Sequence, residues 1–143
     1  MSGVPGGIWC VLSALEPEVW RSRGAAALSA GARALTLRLP CAEPGDAVRA
    51  WRAPELATAW RAVHAHGDWA AASQSQAVIA GARGLSVADL HHAFPQLTVG
   101  ASVHSLEEAR AACSEGASFL LFGPVWETPS KAGVLDPRGL DAL

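Results

Sequence analysis

The chain has 143 residues, half of them hydrophobic, which suits one domain (residues 1–143) with a sizeable core and is too short for two. A formal charge of −2 provides no basic stripe to neutralise a run of phosphates, so no nucleic-acid partner is expected, whereas a small anionic ligand needs only one local cationic site. No apolar run approaches the roughly 20 residues that span a bilayer, and the N-terminus lacks the layout of a signal peptide, so a cytoplasmic protein with no membrane partner is expected.

Short apolar runs alternate with Ala-rich stretches from end to end, the pattern of β-α-β units around a parallel sheet. Strands are predicted at residues 8–13, 32–39, 60–65, 77–80, 97–102 and 118–122. Runs such as LTVGAS and SFLLFG are continuously apolar, as strands buried on both faces are. The segment ALTLRLP carries Arg38 just beyond the second strand's core, where it is either a group at the strand's carboxyl end or an ordinary surface arginine. A helix over residues 47–59 meets Pro54, which must break or kink it.

Further along, His64 and His66, and then His91 and His92, invite a metal reading. Neither pair has a third ligand at a recognisable spacing, so no metal site is expected. Cys10, Cys41 and Cys113 are odd in number and far apart, which argues against a disulfide framework and against zinc, and predicts buried or half-buried thiols. The six tryptophans show no stacking pattern along the chain and are expected to serve packing.

The clearest helix is predicted over residues 106–115. Ser105 and Glu108 form an S-x-x-E capping box at its start, and Gly116 supplies a left-handed stop. His104 therefore sits between the end of a strand and the N-cap of a helix. In a barrel that is the rim where substrate binds, and the partial positive charge of the helix terminus disfavours imidazolium. The competing reading is a loop histidine bonded to backbone. After the next strand comes GPVWETPSKAG, with Lys131, the one lysine against ten arginines. Thr128, Ser130 and Lys131 offer two hydroxyls and a compact ammonium, a set suited to a phosphate; an exposed lysine in a solvated loop is the alternative.

From residue 77 onward, AVIAGARGLSVADL followed by LTVGASVHSLEEARAACSEGASFLLFGPVWETPSKAG resembles the central stretch of thiamine phosphate synthases and their TenI relatives. The specific blocks are SVHSLEEA and FGPVWETPSK, with a looser likeness in IWCVLS and ALTLRLP. The resemblance implies a TIM (β/α)8-type barrel, of which about six units fit in this length, so that the last two strands are expected to be lacking: either the chain is a truncated product, or a second copy or another chain completes the barrel. It also implies that His104 is the proton carrier of a thiazole tautomerase acting on a carboxythiazole phosphate.

Synthases of the family join an aminopyrimidine pyrophosphate to a thiazole phosphate. They use magnesium near an Asn-Asp pair after the third strand and an acidic residue after the fourth. Arg38 matches their first cation after the second strand, but Pro40 replaces the second. His64-Ala65 stands at the Asn-Asp position, and Ala82-Arg83-Gly84 at the acidic one. The resemblance thus favours the TenI type, with no cofactor, magnesium being needed only for synthase-like chemistry. The ligand is expected to be a small phosphorylated thiazole. A degenerate synthase and a non-catalytic phosphate-binding module are the alternatives.

Overall fold

The computed structural model describes residues 3–13, 16–38, 44–128, 133 and 136–142. Six parallel strands form one sheet in chain order: β1 (Trp9–Leu12), β2 (Ala34–Leu37), β3 (Trp60–His64), β4 (Ala77–Ala80), β5 (Thr98–Val103) and β6 (Phe119–Phe122). Helices α1 (Pro17–Ser29), α2 (Pro44–Trp51), α3 (Gly67–Ala72), α4 (Val87–Ala93) and α5 (Leu106–Ser114) fall between successive strands. Six parallel strands with five helices between them are the β-α-β units that the alternation predicts, and they make the incomplete, curled (β/α) barrel that the resemblance implies. No helix among the described residues is long and apolar enough to cross a membrane.

Every strand lies within two residues of its predicted position. Pro54 acts as expected: α2 ends at Trp51, and a separate 3-10 turn covers Pro54–Leu56. The helix predicted over residues 47–59 is therefore shorter and starts earlier. At the end of α5, Gly116 adopts φ 95°, its N–H bonding the Cys113 carbonyl while that of Ala117 reaches Ala112, which is a Schellman stop.

Strict alternation along the strands sorts their side chains into two cores. Leu35, Leu37, Val63, Val78, Val99 and Val103 face the helices. On the concave face lie Ala34, Trp60, Ala62, Ala77 and Ile79, with Trp9, Phe119 and Leu121 against them. Strands β2 and β4 are buried throughout, but β6 is only half-buried along its length, contrary to the expectation from its apolar run. It lies at an edge of the described sheet, so fewer neighbours cover it.

The curl is tight enough for the first and last strands to touch across the concave side. Trp9 of β1 lies 5.0 Å from Trp60 and 5.3 Å from Phe119 of β6, and Trp60 lies 5.7 Å from Phe119. Two of the six tryptophans thus meet Phe119 in a tilted and edge-on ring cluster, one that chain order hides because three strands well separated in sequence supply it, while Trp20 and Trp51 pack in the core as expected. Such pairs contribute roughly 0.5–1.5 kcal/mol each beyond their buried area. Cys113 is likewise exposed where a covered thiol is expected, because its position on α5 faces solvent; Cys41 lies outside the described residues.

Gly100 makes the aromatic cluster possible. It pairs in register with Phe119, and a Cβ at position 100 would fall 2.3 Å from the Phe119 ring. Gly100→Ala should therefore destabilise by about 1–3 kcal/mol, read as a lower urea midpoint at unchanged m value. Trimming the ring in the double variant Gly100→Ala, Phe119→Leu should return part of the loss relative to the two single changes. Additive losses would place the strain elsewhere.

Candidate functional site

Because all six strands are parallel, their carboxyl ends open on one side. His104 stands on that side, one residue beyond β5. Two elements hold it. Its Nδ1 is hydrogen-bonded to the carbonyl oxygen of Gly123, directly after β6. A carbonyl only accepts, so Nδ1 carries the proton, and in the neutral ring Nε2 is the basic nitrogen. Its backbone N–H donates to Glu108 Oε2 at 2.7 Å, while the N–H of Glu108 donates to Ser105 Oγ at 3.1 Å. The S-x-x-E signal thus caps the start of α5 with one of its two expected bonds, Ser105 Oγ accepting from Glu108, while the Glu108 carboxylate goes instead to the backbone of the histidine.

Arg38 lies one residue past β2, exposed, its N–H bonded to the Leu12 carbonyl at 2.9 Å as a continuation of the β1–β2 ladder. It opens on the same side of the sheet as His104, with β3 and β4 between their strands. Thr128 follows β6 and is half-buried; its Oγ1 is buried and has no hydrogen-bond partner among the described residues. A hydroxyl left so costs about 1–3 kcal/mol unless something pairs with it. Ser130 and Lys131 lie outside the described residues.

One polar group on the concave face went unread in the sequence. Thr36 is 1% exposed on β2, two residues below Arg38 on the same alternation, and its hydroxyl also has no partner among the described residues. The period-2 pattern A-L-T-L-R marks Ala34, Thr36 and Arg38 as one face, which was the available signal.

The loops after β3 and β4 do not fit the magnesium that synthase chemistry uses. A divalent cation of that kind takes hard oxygen ligands, and here the chain places the imidazole of His64, the methyl of Ala65 and then Ala82-Arg83-Gly84. The His64 ring sits against Gly81, where an added Cβ would lie 2.9 Å from Cε1. Among the described residues no three His, Cys, Asp or Glu side chains gather closely enough to hold a metal ion. Ala65 itself adopts φ 66°, a left-handed conformation that costs an L-residue roughly 1–2 kcal/mol. Ala65→Gly is accordingly expected to stabilise by about 0.5 kcal/mol after the entropy of the unfolded chain is counted, seen as a small rise in the thermal midpoint.

Six parallel strands and the five helices between them, curled round an apolar centre with a histidine held at the carboxyl ends of the strands, define a protein of the (β/α)-barrel class. The chain belongs to the thiamine monophosphate synthase (TMP-TENI) family, whose model matches residues 22–143. A thiamine-phosphate synthase of Anaeromyxobacter dehalogenans is 34% identical over 146 residues, covering 96% of this chain and 63% of that protein. The solved thiamine phosphate pyrophosphorylase from Pyrococcus furiosus superposes with a TM-score of 0.76 at 29% identity, over 94% of this chain and 66% of its own. The chain thus spans a little under two thirds of these relatives. The 2-keto-3-deoxy-6-phosphogluconate aldolase of Zymomonas mobilis, at 14% identity and TM-score 0.53 over 76% of this chain and 53% of its own, shares the fold alone.

Proposed function

We propose that this chain performs TenI-type acid–base chemistry in thiamine biosynthesis, moving a proton within a carboxythiazole phosphate so that the exocyclic ylidene form becomes the aromatic ring. The observation that carries the reading is His104, its Nδ1–H engaged by the Gly123 carbonyl and its Nε2 left as the base. Such an isomerisation takes a proton from one carbon of the substrate and returns it at another, with no net change in atoms or electrons. One positioned base is sufficient for it, and general acid–base catalysis typically contributes about 10² to 10⁴-fold. Thr128, whose buried hydroxyl lacks a partner among the described residues, together with Ser130, Lys131 and Arg38, would take the anionic end of the substrate.

The test is to incubate the purified chain with the ylidene carboxythiazole phosphate and follow aromatisation by ultraviolet absorbance. Conversion in the presence of a chelator supports the reading; no conversion above the spontaneous rate ends it. A second reading, a synthase, is favoured by the names of the relatives. Magnesium-dependent formation of thiamine phosphate from the two precursors would establish it in place of the first.

A further inference from the structure

We infer that Glu108 is a positioning residue for His104, gripping its backbone while Gly123 grips its ring. In an ordinary capping box the acid three residues into the helix returns to the N–H of the N-cap residue itself. Here the N-cap is Ser105, and its Oγ accepts from the Glu108 N–H in the usual way. The carboxylate reaches one residue further out, to the N–H of His104, at 2.7 Å. That distance belongs to the short, charge-assisted class of hydrogen bond.

The two grips come from different elements and constrain different parts of the histidine. Glu108, from the first turn of α5, fixes where the backbone of His104 leaves β5. Gly123, at the end of β6, fixes the ring about its side-chain torsions. With both in place Nε2 has one direction in which to face a substrate. With the backbone bond lost, the Cα–Cβ vector can swing and the Gly123 bond must stretch or break. A misplacement of about 1 Å can cost on the order of 10²-fold in rate.

This inference rests on the reading that His104 transfers the proton, so its test reads the ring as well as the rate. Turnover of the carboxythiazole phosphate and the imidazole nitrogen-15 shifts of His104 would be measured in the whole chain and in Glu108→Ala, Glu108→Gln and Ser105→Ala. The expected result is that Glu108→Ala lowers kcat about tenfold at unchanged KM and moves the nitrogen shifts toward a mixture of tautomers. Glu108→Gln, whose amide oxygen still accepts, should recover most of both. Ser105→Ala weakens the helix start without removing the acid, and should lower Tm while leaving kcat within about twofold.

Parent-like kcat and nitrogen shifts in Glu108→Ala would overturn the inference. So would an equal loss of kcat in Ser105→Ala, since helix stability would then explain both. If His104→Gln leaves turnover intact, the acid–base reading falls by itself, and the nitrogen shifts still decide whether Glu108 holds the ring.

Discussion

His104→Gln is expected to lower turnover of the carboxythiazole phosphate by about 10² to 10⁴-fold while changing its binding by no more than a few-fold. The reasoning is geometric. Gln has nearly the reach of His and presents an amide where Nε2 stands, and the companion variant His104→Asn places an amide N–H where Nδ1 stands and so keeps the bond to the Gly123 carbonyl. What Gln cannot supply is a basic nitrogen to take and return the proton, because an amide has none. The measurement is steady-state kinetics beside calorimetric binding of the aromatic product. Turnover equal to that of the parent would remove His104 from the chemistry. A large loss of binding would instead assign it to holding the ligand.

The largest effect on stability is expected at Arg61. It is 9% exposed on the helix-facing side of β3, a guanidinium taken almost wholly out of water. Its Nη1 donates to the Trp51 carbonyl at 2.7 Å and its Nη2 to that of Gln74 at 3.2 Å, so it closes the C-terminal ends of α2 and α3. Those ends carry unpaired carbonyls and partial negative charge, which is what a cation there offsets. Burial lowers the proton affinity of Arg61 below that of an ordinary arginine, and the nearby charge of Arg52 lowers it further. Its backbone N–H is in turn held by Gln76 Oε1 at 2.8 Å, and Trp51 Nε1 donates to Ser75 Oγ at 2.9 Å beside it.

Arg61→Ala should therefore cost about 3–4 kcal/mol, through two stranded carbonyls and a cavity, and lower the thermal midpoint by roughly 10 °C. Arg61→Lys should lose about half as much, since a single ammonium cannot serve both carbonyls as the planar fork does. Arg61→Met is the decisive control. It fills similar space without donors, so a Met variant as stable as the parent would show that packing, and not the closing of the two helix ends, is what the arginine contributes.

Arg61 also marks where reading by sequence stops. An arginine inside the short run WRAVH is indistinguishable from one on a wet strand until α2 and α3 are seen to end over it. The same holds for Trp9, Trp60 and Phe119, which stand 51 and 59 residues apart in the chain and meet only because the sheet curls. Thr36 gave a signal in its period-2 position, but its burial depends on what the curl brings over it.

Local patterns in the sequence were enough to determine the six parallel units, the interruption at Pro54, the capped start of α5 and the stop at Gly116. Each depends on residues within one turn or one strand, where propensity, steric limits and nearest-neighbour hydrogen bonds act. The same patterns put His104 beyond a strand and before a helix. Only the tertiary structure decided which ring nitrogen of His104 meets a carbonyl and how the aromatic centre is filled, because the partners involved, Gly123 for His104 and Phe119 for Gly100, come from another strand. Contacts of that kind follow from strand register and sheet curvature, which are properties of the assembled sheet and not of any one segment.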